Sequence, residues 1–158
     1  MNLRKWKPYL ISMGLALGVG TLSGLLSMGG MRGYESMVTK PALTPPGWLF
    51  PIVWTILYSL MGIGAAMVYL KGKPEKRDTA LNLYVAQLIV NFFWSLIFFN
   101  AQAFGFAVIW IILLLALVVW MTWEFSMIDK TAALLQIPYI IWLLFATYLT
   151  IAVWVLNR

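Results

Sequence analysis

The sequence predicts an all-α membrane protein, a bundle of five transmembrane helices with a long first loop on the outer side. Composition is the first reason: 63% of the 158 residues are hydrophobic and 10% are charged, whereas soluble domains carry about 25% charged residues. The second reason is the length of the uncharged stretches, because a helix needs about 20 apolar residues to cross a bilayer. The uncharged stretches are 8–31, 41–70, 79–123 and 131–157.

Five spans follow from these four stretches, since the third is long enough for two helices and contains a polar, glycine-bearing break at 100–105. Backbone groups in lipid have no water to bind, so helices are the expected structure. The alternating segments of about 10 residues that mark a transmembrane barrel do not occur in the sequence. The predicted spans, all within one domain of residues 1–158, are 8–27, 47–70, 79–99, 105–124 and 132–155.

The basic residues predict how the bundle is oriented. Cytoplasmic connections of membrane proteins are enriched in Lys and Arg. We therefore expect an integral membrane protein with a cytoplasmic N-terminus and an external C-terminus, and the net charge of +6 needs no nucleic-acid partner. The basic residues on the predicted inner side are Arg4, Lys5, Lys7, Lys71, Lys73, Lys76, Arg77 and Lys130.

The connection between the first two spans, residues 27–46, is the long one. Its first half contains Gly29, Gly30 and Gly33, and its second half contains Pro41, Pro45 and Pro46. Connections of this length are usually functional covers or disordered segments. We expect the glycine-rich half to be a mobile lid, with a slack surface loop as the alternative. Proline suits the first turn of a helix, so Pro45 and Pro46 are expected to begin the second span.

Several classes of chemistry are excluded by what the chain lacks. It contains no cysteine and no histidine, which leaves no thiolate, no Cys-ligated metal, no His-based nucleophilic site and neither the usual haem axial ligand nor most zinc sites. The predicted spans also contain no charged residue at mid-span, the position on which coupled ion transport depends, since Glu124 stands at the end of the fourth span. We therefore expect no cofactor and no metal, and no conventional hydrolytic site.

Aromatic and amide side chains form stripes at helical spacing. Trp54 and Tyr58 share one helix face, and Gln87, Asn91 and Trp94 share another. Because an unsatisfied amide is costly in hydrocarbon, the two amides must face the bundle interior. There they either bind another helix or line a cavity. An aromatic cavity with a few amides would suit a planar hydrophobic molecule, bound by a membrane receptor or carrier.

Motifs along the whole chain resemble one family. They are Lys40-Pro41, Pro45-Pro46-x-Trp48, Pro51-x-x-Trp54-x-x-x-Tyr58, Gln87-x-x-x-Asn91-x-x-Trp94 and Pro138-Tyr139-x-x-Trp142-x-x-Phe145-Ala146-Thr147. Together they resemble the TspO/MBR family of translocator proteins and peripheral benzodiazepine receptors, in a bacterial form. The pocket residues that this resemblance implies are Trp48, Trp54, Tyr58, Gln87, Asn91, Trp94, Trp142 and Ala146.

The resemblance implies a tetrapyrrole-binding protein or sensor, with protoporphyrin IX as ligand and a pocket beneath the first loop. It also implies binding of isoquinoline-carboxamide and benzodiazepine drugs, and a link to stress responses. Two alternatives remain open: light-dependent oxidative degradation of porphyrin by Trp54 and Trp142, and transport of hydrophobic ligands across the membrane. The family's sterol motif is not matched, because Ile151 stands where its tyrosine would be.

A homodimer is a further implication of the resemblance. The first span contains Gly14-x-x-x-Gly18 and Gly20-x-x-x-Gly24, and small residues at this spacing let two helix backbones approach closely. The motif suits packing within the bundle as well as packing against a second copy.

Overall fold

The structure, a computed structural model, describes residues 3–158, which contain helices and no strand. Five helical segments in this part of the chain are long and apolar enough to cross a membrane. The predictions of an all-α protein and of five spans are therefore confirmed. The helices are α1 (Leu3–Met37), α2 (Leu49–Lys71), α3 (Pro74–Ser95), α4 (Phe104–Ser126), α5 (Lys130–Leu134) and α6 (Ile137–Asn157).

Helix α1 is much longer than its predicted span of 8–27, and the expectation of a glycine-rich loop lid is wrong. Residues 28–37 continue the helix, so the loop is reduced to 38–48. The cause is a contact with the end of α3. A Cβ on Gly30 would lie 2.5 Å from the Phe99 carbonyl oxygen, and Asn100 Nδ2 donates a hydrogen bond to the Leu26 carbonyl over 2.8 Å. Gly30 therefore serves close helix packing, whereas nothing lies within 4 Å of a Cβ on Gly29.

The remaining loop, residues 38–48, is attached to the last helix. Asn157 forms two hydrogen bonds with the backbone of Thr39, at 2.9 and 2.8 Å. The Tyr148 hydroxyl donates to the Ala42 carbonyl over 3.0 Å, and Leu43 takes a left-handed backbone conformation at φ 68°. The loop therefore lies across the bundle end with its backbone held by α6.

Helix α2 begins later than the prolines suggested. Pro45 and Pro46 lie in the loop before it, and the helix starts at Leu49 after a turn in which Leu49 N donates to the Pro46 carbonyl over 3.0 Å. Pro51 occupies the first turn instead, where a backbone N–H has no partner within the helix. This placement lets a proline lie inside the helix without breaking it.

Helix α3 ends in one turn of π-helix, Leu96–Asn100, and starts at Pro74, five residues before its predicted span. The predicted break near Asn100 is present as residues 101–103, with Gln102 in a left-handed conformation at φ 48°. Single π turns are frequent at functional sites. Here the π turn lies beside the C-terminal half of α1.

The fifth span is divided into α5 and α6. Asp129 caps α5, accepting a hydrogen bond from Thr131 N over 2.8 Å. Its carboxylate also forms an ion pair with Lys71 at the end of α2. The hydrogen bond from Lys71, with help from the backbone N–H groups of α5, lowers the pKa of Asp129. This ion pair links the end of α2 to the connection between α4 and α5, at the predicted inner end of the bundle.

Close contact between α1 and α2 is set by glycines. A Cβ on Gly62 would lie 2.5 Å from the Met13 Cα, and one on Gly20 would overlap the Tyr58 ring. By contrast, nothing lies within 4 Å of the Cβ positions of Gly14, Gly18 and Gly24. One glycine of the two small-residue motifs therefore packs tightly inside the bundle, and the homodimer stays a prediction.

Candidate ligand cavity

A cavity of about 650 Å³ lies at the loop end of the bundle. Its walls come from the C-terminal half of α1, the first turns of α2, the end of α3 and the middle of α6, and the 38–48 loop lies over it. Toward the other end the bundle is filled by packed core side chains such as Met61, Leu88 and Met121. The cavity therefore reaches about halfway into the bundle.

One wall is an aromatic cluster centred on Trp54. Its ring stacks on Tyr58 with centroids 5.4 Å apart and stands perpendicular to Trp142 at 6.3 Å. Phe50 packs edge-on against Trp142 at 5.8 Å. Edge-to-face and stacked pairs of this kind are attractive beyond simple burial, so the rings support one another in presenting a flat apolar surface.

A second wall is built by the end of α3. Trp94 stacks on Phe98 with centroids 5.1 Å apart, and Phe98 and Phe99 meet edge-on at 4.9 Å. The π turn at Leu96–Asn100 places both of these adjacent phenylalanines at the cavity. The Trp94 indole nitrogen is buried and has no hydrogen-bond partner among the described residues. A ligand acceptor that reached it would remove a cost of about 1–3 kcal/mol.

Tyr58 and Asn91 form the cavity floor, and they begin a hydrogen-bonded chain of four side chains that runs beneath it. Tyr58 Oη donates to Asn91 Oδ1 over 3.1 Å, and Asn91 Nδ2 donates to Tyr139 Oη over 2.6 Å. Tyr139 in turn donates to Gln87 Oε1 over 2.8 Å. Because both ends of the Asn91 amide are engaged, its orientation is determined, and it presents a fixed polar group to the cavity.

The predicted pocket residues divide into three groups. Gln87 lies beneath the floor, fully buried and bonded to Tyr139. Trp48 is 68% exposed and precedes α2, outside the cavity lining. The structure brings the other six together at the cavity: Trp54, Tyr58, Asn91, Trp94, Trp142 and Ala146.

Sequence reasoning missed Tyr139 as a functional candidate. It is 1% exposed and links Asn91 to Gln87. Two signals were available: Tyr139 lies three residues before Trp142, on the same helix face, and a tyrosine hydroxyl inside a span needs a partner as an amide does. Also missed were the lining residues Phe50, Phe98 and Phe99 and the two charged lining residues, Glu35 and Lys40.

The cavity also reaches the lipid-facing surface between α1 and α2. Exposed residues of both helices line it there, among them Thr21, Leu25 and Thr55. The two helices touch at Gly20 and Gly62 and leave this opening nearer the loop.

Among residues 3–158, no group of three His, Cys, Asp or Glu side chains is placed to hold a metal ion. The arrangement suits binding of an apolar molecule.

Comparison with known proteins places the chain in a family. A model of the TspO/MBR family matches residues 12–155. The chain belongs to the TspO/MBR family. It is 35% identical over 148 residues to the "Tryptophan-rich protein TspO" of Chlorobaculum tepidum, covering 93% of this chain and 94% of that protein.

Other TspO/MBR relatives come from animals and bacteria. The "Translocator protein" of Homo sapiens is 35% identical over 153 residues, 93% of this chain and 90% of that protein. The "Tryptophan-rich sensory protein" of Cereibacter sphaeroides is 35% identical over 124 residues, 78% of this chain and 76% of that protein. The resemblance noted from the sequence is thus confirmed, and this TspO/MBR member is an integral membrane protein.

Proposed function

We propose that this protein is a membrane binding protein or sensor for planar hydrophobic molecules of the tetrapyrrole type, with protoporphyrin IX as the representative ligand. The cavity carries this proposal. Its volume of about 650 Å³ falls within the roughly 300–1,000 Å³ of small-molecule sites, which are mostly apolar with a few placed polar groups. Isoquinoline-carboxamide and benzodiazepine compounds carry flat aromatic rings that the same aromatic walls can contact.

The closed end of the cavity favours binding over transport. A carrier must open its site to both sides of the membrane, whereas the core below the Tyr58–Asn91 floor is packed by buried residues of α2, α3 and α4. The opening between α1 and α2 and the loop end are both on one side of this floor. A sensor or binding protein requires access from that side only.

The orientation and assembly belong to the same proposal. A cytoplasmic N-terminus in a bacterial cell membrane is supported by the basic residues at one end of the bundle, around Lys71 and Lys130. A homodimer through α1 is supported by Gly14 and Gly18, whose Cβ positions face open space.

Filling the cavity should abolish ligand binding. Ala146 is 6% exposed and lines the cavity on α6, so Ala146→Phe puts a ring into the space the ligand needs. We expect protoporphyrin IX affinity to fall at least about tenfold, measured by quenching of tryptophan fluorescence in detergent.

The matched control for added bulk is Leu144→Phe on the same helix, because Leu144 is 55% exposed and faces away from the cavity. It should bind the porphyrin as the unmodified protein does. Equal affinity in all three proteins would show that porphyrin binds elsewhere and would overturn the cavity proposal.

Light-dependent oxidation of a bound porphyrin is a second candidate function. It is favoured by the position of Trp54 and Trp142 together at the cavity wall, 6.3 Å apart. There an indole can donate an electron to the excited porphyrin, which passes it to dioxygen, and the indole radical then takes an electron back from the porphyrin, so that the porphyrin is oxidised and dioxygen is reduced. Illumination should then deplete the porphyrin absorption bands, and Trp54→Phe or Trp142→Phe should prevent this while binding is retained. If free porphyrin, or porphyrin bound to both variants, bleaches as fast as porphyrin bound to the unmodified protein, the enzymatic function is rejected and the binding function remains.

A further inference from the structure

Electric charge is placed at only one end of the cavity. Among the described residues that line it, the charged ones are Glu35 at the end of α1 and Lys40 in the loop. The rest of the wall is aromatic, aliphatic or neutral polar. The cavity is therefore polarised, with an apolar interior and a charged mouth.

The Lys40 ammonium is held at this mouth by neutral partners. Its Nζ donates to the Glu35 backbone carbonyl over 3.0 Å and lies 5.7 Å from the centre of the Tyr34 ring. Both partners belong to the last turns of α1, whose C-terminal end carries partial negative charge and favours a cation. These contacts place the exposed ammonium at the mouth without engaging it in an ion pair.

No carboxylate among the described residues forms an ion pair with this cation. Within the part of the chain that the structure describes, the ion pairs are Lys71–Asp129 and Arg77–Asp78, so no acidic side chain lies within 4.0 Å of Lys40 Nζ. The Glu35 carboxylate is turned instead toward Gly47, where a Cβ would come within 2.7 Å of its Oε1. An ammonium has three donors, and the protein engages one of them.

We propose that Lys40 binds an anionic group of the ligand, so that the cavity prefers planar hydrophobic molecules with a carboxylate at one edge over those without one. This rests on the proposed function and specifies the ligand class. The apolar body lies between the Trp54 and Trp94 walls, and the carboxylate remains at the loop end against the Lys40 ammonium. A charge-assisted hydrogen bond at the border of a low-dielectric site is stronger than one between neutral groups.

The test compares protoporphyrin IX with its dimethyl ester, which has the same ring and no ionisable carboxylate. Dissociation constants are measured for both probes with the unmodified protein, Lys40→Gln and Lys40→Arg, and the acid-to-ester ratio is compared among proteins so that micelle partitioning cancels. We expect Lys40→Gln to reduce the preference for the acid about tenfold, with ester binding unchanged. Lys40→Arg, which keeps the charge, should retain the preference.

Arg32→Gln is the matched control, since Arg32 is an exposed cation on α1 that does not line the cavity. A reduced acid preference in Arg32→Gln equal to that in Lys40→Gln would point to general surface charge and overturn the assignment. An unchanged ratio in Lys40→Gln would also overturn it, while continued binding of both probes would leave the cavity proposal intact. Failure of the unmodified protein to bind either probe would reject both proposals together.

Discussion

Replacing Gly62 by alanine should destabilise the bundle more than any other single added methyl group at the α1–α2 contact. The new Cβ would lie 2.5 Å from the Met13 Cα and 2.7 Å from the Met13 backbone nitrogen. Backbone cannot turn aside as a side chain can, so α1 must move away from α2. Overpacking of this kind costs about 1–3 kcal/mol, and we expect the upper part of that range as a lower thermal unfolding midpoint in detergent.

Gly14→Ala makes the same chemical change in α1, at a site with nothing within 4 Å of the new methyl group. Alanine is a better helix former than glycine by up to about 1 kcal/mol, so this variant should be as stable as the unmodified protein or slightly more stable. If the two variants unfold at the same temperature, the close α1–α2 contact at Gly62 does not support the bundle.

Replacing Tyr139 by phenylalanine should weaken both the fold and ligand binding. The change removes one oxygen, which accepts from Asn91 Nδ2 and donates to Gln87 Oε1. Both amides are buried, and each would lose a partner. Leaving a buried polar group unpaired costs about 1–3 kcal/mol, although single interhelical bonds in membranes average only about 0.6 kcal/mol.

The effect on binding follows from the Asn91 amide. Without Tyr139 Oη, the amide is held only by the bond from Tyr58, so it no longer presents one orientation to the cavity. We expect porphyrin affinity to fall about threefold to tenfold, because the ligand must then order this side chain as it binds. Titration by fluorescence quenching measures the change.

Tyr84→Phe is the matched control for this prediction. The Tyr84 hydroxyl donates a single interhelical bond to the Ser12 carbonyl over 2.8 Å, and the residue does not line the cavity. Its removal should lower stability to a smaller degree and leave porphyrin affinity unchanged. A similar loss of affinity in both variants would mean that general loosening of the bundle, and not the orientation of Asn91, sets the affinity.

The cavity residues show how far reasoning from periodicity extends. Trp54 with Tyr58, and Asn91 with Trp94, lie on inward faces of their helices as their spacing predicted. Gln87 shares the face of Asn91 but lies one turn deeper, below the floor. Spacing along one helix determines which face a residue occupies, whereas the level of the floor depends on Tyr139 from another helix.

The first loop shows where local sequence was misleading. Three glycines in a short stretch predicted a mobile segment, yet residues 28–37 are helical. The helix persists because Gly30 lets α1 approach Phe99 and Asn100 at the end of α3. Those contact partners are about 70 positions away in the chain, the separation seen for the Asn100–Leu26 bond, and nothing in the local pattern reveals them.

The sequence by itself determined the five spans, the absence of cysteine and histidine chemistry, the inward faces of the aromatic and amide stripes, and the motifs that identify the family. These properties depend on composition and on the 3.6-residue period of each helix, which are local quantities. Only the tertiary structure decided which inward residues meet at one cavity and where the charge lies at its mouth. The reason is that the relative depth of neighbouring helices is set by contacts such as Gly62 on Met13 and Gly20 on Tyr58, and these arise only when the helices pack.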